Sequence, residues 1–319
     1  MMMNVILLLV GLGLIVFGAN WLVDGASSIA RRIGVSEFVI GLTIVGFGTS
    51  CPELVVSLTG AIQGNPDIAI GNVVGSNVFN VLFILGLTAI LSPVSMTSEN
   101  RKLDIPVTLG VSLLLVLCGM SSTLFGIGGS DTISRIEGAL FILLFAGYMY
   151  FCFKNDKGAE ESSEDGKPKN LFVAIVLVLA GLAGLVFGGD LFVNSAKVIA
   201  HNLGVSDKFI AITVLAGGTS FPELATCVVA AAKHKDQLAL GNILGSNVFN
   251  ILLVVGCSAV VTPMSLAAMG IVDMIALILG PALLLVWSFT GSKCRIDRWE
   301  GAVMLLCFIA YYAYLFVGM

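Results

Sequence analysis

Two glutamates stand in otherwise apolar sequence, and each has the same neighbours. Glu53 lies in GLTIVGFGTSCPEL (41–54), and Glu223 lies in AITVLAGGTSFPEL (211–224), 170 positions later. At the same offset, GNVVGSNVFN (71–80) and GNILGSNVFN (241–250) agree at eight of ten positions. A self-similar chain of this kind has to be read as a repeat before any fold is assigned. An ionised carboxylate in apolar surroundings needs a compensating partner. No Lys or Arg lies in the middle of either run or of any other apolar run, so a bound cation is the natural counter-charge. A protonated Glu hydrogen-bonded in a core is the plainer alternative, but it does not explain the paired placement.

The neighbours supply further oxygen donors. Pro52 and Pro222 precede the glutamates. A proline inside a helix donates no N–H and crowds the preceding turn, which leaves the carbonyls of Gly48 and Gly218 without their usual partner and loosens Thr49-Ser50 and Thr219-Ser220. Broken membrane helices are tolerated where they line a cavity, and their free carbonyls coordinate ions. Thr49 and Ser50 lie four and three positions before Glu53, on one helical face with it. Asn72, Ser76 and Asn80 form an i, i+4, i+8 polar stripe that Asn242, Ser246 and Asn250 repeat. Hydrogen-bonding glue between membrane helices is the structural alternative for this stripe. Gly71, Gly75, Gly241 and Gly245 suit close helix approach. Carboxylates, hydroxyls, amide oxygens and carbonyls together favour hard cations, Ca²⁺ taking about six to eight oxygens, whereas transition metals recruit imidazole or thiolate. Two glutamates balance one Ca²⁺ or two Na⁺, which is a physical basis for exchange.

The elements that must position these residues are membrane spans. The chain of 319 residues is 57% hydrophobic and 11% charged, with mean hydropathy +1.03, against about 25% charged in soluble domains. Spans of about 20 apolar residues are predicted near 4–30, 36–63, 67–91, 103–124 and 134–153, and again near 170–199, 206–232, 237–261, 268–290 and 296–317. The fold expected is all-α with ten transmembrane helices. Residues 1–153 form a first repeat, 154–170 a charged cytoplasmic linker, and 171–319 a second repeat. FGANWLVDGASSIA (17–30) and FGGDLFVNSAKVIA (187–200) extend the likeness to the start of each half. Of the 16 Lys and Arg, only Arg135, Lys197 and Lys208 fall on one side of this topology. The positive-inside rule therefore places both termini outside the cytoplasm. Two like halves of five spans each must lie inverted relative to one another, the plan of secondary transporters.

Other classes are excluded. The first apolar run is too long for a signal peptide and lacks a basic leader. Seven cysteines without paired spacing read as small apolar residues. A net charge of −4 gives no footprint for nucleic acid. With no P-loop, no Ser/His/Asp set and no phosphorylation domain, neither an enzyme nor a resident cofactor is expected. The expected partners are Ca²⁺, Na⁺ and the lipid bilayer, with no obligatory protein partner.

GTSxPE followed by GNxxGSNxFN, twice and in opposite orientation, resembles the alpha repeats of the calcium/cation antiporter superfamily, and most of all its prokaryotic sodium/calcium exchangers. The resemblance covers essentially the whole chain. It implies alternating access and electrogenic exchange of several Na⁺ for one Ca²⁺, in an integral protein of a prokaryotic plasma membrane. By motif position it places calcium between Glu53, Glu223 and the carbonyls of Thr49 and Thr219. It places sodium at Ser50, Ser76, Ser220 and Ser246 with the backbone oxygens of Gly46 and Ala216, puts Asn80 and Asn250 at the centre, and makes the first and sixth helices a sliding gate. Potassium-dependent members carry Asp where this chain has Asn250, and the cation/proton branch carries Glu where it has Gly75 and Gly245. A Ca²⁺/H⁺ or other cation/H⁺ antiporter is the first alternative, and a cation channel the second.

The charge distribution makes a direct prediction. A single cysteine in the 154–170 linker of a cysteine-free variant should resist impermeant maleimide added to intact cells. Ready labelling from outside would reverse the orientation.

Overall fold

The computed structural model describes residues 2–126, 131–156, 158, 168–203, 218–266, 269–290 and 294–317. Among these, eight helices are long and apolar enough to cross a membrane, and a bent pair makes a ninth. The expected spans appear as Met2–Ile33, the pair Glu37–Thr49 and Cys51–Ile62, Pro66–Leu91, Asn100–Gly119, Arg135–Asn155, Leu171–Asn202, Asp236–Val261, Ile271–Thr290 and Arg298–Val317. Of the predicted span 206–232, the helix Phe221–Ala232 is described, and residues 206–217 lie outside the described set. The predicted span 103–124 ends earlier, at Gly119. Met120 leaves helical geometry (φ −119°, ψ 27°) and a short helix, Ser121–Phe125, follows and stops at Gly126 in the left-handed region. The apolar run passes through this break, so hydropathy does not register it.

The chain forms two compact units, each drawing on both sequence halves. One comprises 1–52 with 155–242, the other 53–154 with 243–319. In the first, Met2–Ile33 packs antiparallel against Leu171–Asn202 through glycines spaced seven apart. Gly11 meets the backbone of Gly188 and Phe192, Gly18 that of Gly181, and Gly25 that of Ala174. Lipid provides no hydrophobic force between helices, so such association rests on close van der Waals approach by small residues. Each helix has 32 residues, about 48 Å at ~1.5 Å per residue, longer than the ~30 Å hydrocarbon layer. Their outer faces expose Leu9, Phe17, Leu179 and Phe187, as lipid contact requires. The second span also belongs here as far as Pro52. Ser36 caps it, its hydroxyl accepting from Val39 N–H at 3.2 Å. Gly41 and Gly241 let this span and the helix Asp236–Val248 cross at backbone distance, Gly41 against Leu238 O and Gly241 against Phe38 O.

In the second unit the spans Pro66–Leu91 and Asp236–Val261 each change from α to π geometry and back, the wide turns covering Phe79–Leu85 and Phe249–Val255. Four two-residue strands join the helix ends, a detail the all-α reading omits. Val94–Ser95 pairs antiparallel with Arg295–Ile296, and Thr132–Ile133 with Met264–Ser265. Each pair links one sequence half to the other. Glycines repeat the exchange: Gly86 packs on Gly301, and Gly138 on Gly256.

A Cβ at Gly181 would lie 2.6 Å from Leu22 N, whereas one at Gly13 would meet nothing within 4 Å. Gly181→Val should therefore destabilise the detergent-purified protein by roughly 1–3 kcal/mol, the usual scale of overpacking, while Gly13→Ala should be neutral. Thermal unfolding followed by size-exclusion chromatography measures the contrast.

Candidate ion-binding site

The first unit carries two matching breaks. Ser50 ends one helix with φ −89° and ψ 5°, and Ser220 opens the next with φ −92° and ψ 7°. Both lie in the sparsely allowed bridge region, two residues before a proline. At Ser50 the chain bends by 47°. The Ser50 hydroxyl donates to Glu223 Oε1 at 2.9 Å. Thr49 Oγ1 lies 3.0 Å from Val45 O, 3.2 Å from Asn242 Oδ1 and 3.4 Å from Gly46 O, with one proton to serve all three acceptors. Asn242 Nδ2 in turn donates to Cys227 Sγ at 3.2 Å, and that thiol points to Ala239 O at 3.7 Å. Glu223 is fully buried, and its second oxygen, Oε2, has no hydrogen-bond partner among the described residues.

The second unit repeats the scheme with other atoms. Glu53 is fully buried, and Asn72 Nδ2 serves Glu53 O at 3.2 Å and Ser57 Oγ at 3.0 Å. Ser57 stands 170 positions before Cys227, so a hydroxyl and a thiol occupy matching places and accept from matching asparagines. Asn80 and Asn250 each sit at the start of a π turn, a feature common at functional sites. Asn80 Nδ2 donates to Asn247 Oδ1 at 3.1 Å, and Asn250 Nδ2 to Asn77 Oδ1 at 3.5 Å.

Most of the expected ligands are buried. Thr49, Ser50, Glu53, Ser76, Asn80, Ser220, Glu223, Ser246 and Asn250 are all inaccessible, and Thr219 is partly so. Gly46 is buried, and its carbonyl accepts the Ser50 N–H at 3.1 Å and lies 3.4 Å from the Thr49 hydroxyl. Ala216 lies outside the described residues. The hydrogen bonds group Thr49, Ser50 and Glu223 in one unit, and Asn80 with Asn250, through Asn77 and Asn247, in the other. Six of the expected ligands carry a buried oxygen with no hydrogen-bond partner among the described residues: Glu223 Oε2, Thr219 Oγ1, Ser76 Oγ, Ser246 Oγ, Asn80 Oδ1 and Asn250 Oδ1. Each such atom costs about 1–3 kcal/mol unless something meets it. In Asn80 and Asn250 it is the oxygen that is open while the NH₂ group is engaged, the polarity a cation requires. Sequence reasoning passed over Asn77, Asn247, Ser57 and Cys227. The first two were legible in the repeated GSN triplet but fall off the i, i+4 stripe, and the last two are unlike in chemistry, which hides their equivalence.

Comparison with known proteins identifies the scaffold. The sodium/calcium exchanger protein family profile matches residues 3–154 and 173–317. The chain belongs to this family. Like its relatives, this exchanger-family chain is a transporter and not an enzyme, and it is integral to the membrane. A putative antiporter, CaxA of Alkalimonas amylolytica, is 40% identical over 326 residues, covering 99% of each chain. The sodium/calcium exchanger MaX1 of Methanosarcina acetivorans is 33% identical, covering 98% of each. Among solved structures, the sodium-calcium exchanger NCX_Mj soaked with 10 mM Na⁺ superposes with a TM-score of 0.84 at 33% identity, covering 98% of both chains. The family profile leaves out 155–172, which includes most of the charged linker.

The match between Ser57 and Cys227 is testable. Cys227→Ser should keep the Asn242 amide satisfied and leave transport and stability near wild type. Cys227→Val should strand that amide and lower stability by roughly 1–3 kcal/mol, read as a fall in melting temperature.

Proposed function

We propose that the chain is an antiporter exchanging Na⁺ for Ca²⁺ by alternating access across a prokaryotic plasma membrane. The observation that carries this reading is the set of buried oxygens on Glu223, Thr219, Ser76, Ser246, Asn80 and Asn250 that have no hydrogen-bond partner among the described residues. They are hard donors, the type that Ca²⁺ and Na⁺ take. Glu53 and Glu223 supply two negative charges. The Thr49 and Thr219 carbonyls join them for calcium. Ser50, Ser76, Ser220 and Ser246, with the backbone of Gly46 and Ala216, serve sodium, and Asn80 and Asn250 complete the neutral donor set. One Ca²⁺ neutralises the two carboxylates. More than two Na⁺ leave the loaded carrier positive, so transport responds to membrane potential. With Asn at 250 no third carboxylate exists to hold K⁺ beside calcium, and exchange runs without it.

The reading includes ten spans in two inverted halves, 1–153 and 171–319, with the 154–170 linker in the cytoplasm and both termini outside. Reciprocal packing supports it. Gly11–Gly188 and Gly18–Gly181 exchange under the 170-residue offset, and Gly86–Gly301 and Gly256–Gly138 exchange with offsets of 170 for the first member and 163 for the second. The two strand pairings exchange in the same way. The first and sixth helices, locked backbone to backbone, act as the moving gate. The names of MaX1 and NCX_Mj favour Na⁺/Ca²⁺ exchange.

The deciding experiment is ⁴⁵Ca²⁺ uptake into proteoliposomes under imposed Na⁺, H⁺ or K⁺ gradients. Uptake should follow the Na⁺ gradient, persist without K⁺, and fall to background in Glu53→Gln and Glu223→Gln variants that remain monodisperse. Uptake driven by H⁺ and indifferent to Na⁺ would transfer the chain to cation/proton exchange. Near-normal uptake by either variant would overturn the assignment of the glutamates.

A further inference from the structure

Four asparagines in the second unit form a crossed arrangement that the ligand set leaves unexplained. Asn80 Nδ2 donates to Asn247 Oδ1 at 3.1 Å, and Asn250 Nδ2 donates to Asn77 Oδ1 at 3.5 Å. All four side chains are buried. Asn77 and Asn247 occupy equivalent places in the two halves, each following the serine of GSN. An asparagine amide has two ends of opposite polarity and nearly equal shape, the oxygen accepting and the NH₂ donating. Only the oxygen suits a cation. Nothing in the side chain itself selects that end, so something outside it must.

We propose that Asn77 and Asn247 are positioning residues that fix the polarity of the ion-facing amides. Each accepts from the NH₂ group of its partner and so leaves Asn250 Oδ1 or Asn80 Oδ1 as the open end. Neither of those two oxygens has a hydrogen-bond partner among the described residues. The two braces differ in support. Asn247 Nδ2 reaches Asn77 O at 3.5 Å, whereas Asn77 Nδ2 is buried and has no hydrogen-bond partner among the described residues. The Asn77–Asn250 brace is therefore the weaker, held by one long hydrogen bond. If Asn77 turned over, its NH₂ would face that of Asn250, which would have to turn as well and present its NH₂ to the cargo. The inference rests on the exchange reading above and assigns a role to residues outside the ligand set.

A carboxylate has two equivalent oxygens and no wrong end. Asp at 250 should therefore make the Asn77 brace unnecessary, and Asp at 80 should do the same for Asn247. The test is two double-mutant cycles, read as the KM for Ca²⁺ in Na⁺-driven ⁴⁵Ca²⁺ uptake. Asn77→Ala and Asn247→Ala should each raise KM roughly tenfold, the scale of one misdirected charge–dipole interaction, with kcat far less affected. In an Asn250→Asp background, Asn77→Ala should change KM by less than about twofold, yet in an Asn80→Asp background it should keep its full effect. Asn247→Ala should show the opposite pattern. A general loss of helix packing would lower performance equally in both backgrounds. Should an Asp variant not transport, the same cycles are read from the Ca²⁺ concentration that half-maximally raises the melting temperature of detergent-purified protein. Single alanine changes that leave KM unaltered, or that act equally in both backgrounds while wild type exchanges normally, would overturn the brace and leave the function intact. A wild type with no Na⁺-driven uptake would remove the exchange reading and this inference with it.

Discussion

A carboxylate withdrawn from water needs a proton, a fixed cation or a mobile one, because the bare charge costs several kcal/mol. Glu53 and Glu223 are both fully buried. Glu223 takes one hydrogen bond from Ser50 and leaves its other oxygen open. A fixed salt bridge would make such a residue permanent structure. An oxygen without a hydrogen-bond partner among the described residues leaves it able to take a cation instead. The helix breaks, the π turns and the glycine crossings are ways of keeping such oxygens available inside a chain that lipid would otherwise require to be regular helix.

Lipid satisfies no backbone group, so each irregularity is placed where something else does. Ser50 and Ser220 hold nearly the same bridge-region conformation before a proline. That agreement between segments 170 residues apart follows from a shared constraint, since proline removes one N–H and crowds one turn in each. The π segments at Phe79–Leu85 and Phe249–Val255 likewise begin one residue before Asn80 and Asn250. Widening the helix there re-aims a side chain without ending the span.

Close packing has a complementary role. Glycines at 11, 18 and 25 bring the first helix against the backbone of the helix Leu171–Asn202, so these two elements behave as one body. At the membrane ends, where water returns, charged pairs take over. Lys233 meets Asp24 at 2.6 Å and Lys235 meets Glu37 at 2.9 Å. Outside the spans, Asp131 accepts from both the backbone and the hydroxyl of Thr123, which holds its carboxyl below the usual range.

The sequence by itself determined the membrane class, nearly every helix, the repeat, and the candidate site residues, because hydropathy is a local property and a buried Glu beside Pro is rare enough to stand out. It also located the break at Thr49-Ser50, since proline's missing N–H acts on its own helix. The tertiary structure alone decided what depends on residues far apart in the chain. Ser50 serves Glu223 across 173 positions, Asn247 serves Asn80 across 167, and Cys227 stands in for Ser57. Periodicity reports which face a residue occupies, but neither the partner on the facing helix nor which end of an amide that partner holds. The π turns were hidden for a related reason. A helix widened by one residue has the same hydrophobic composition, and only the backbone hydrogen bonds reveal that its register has shifted.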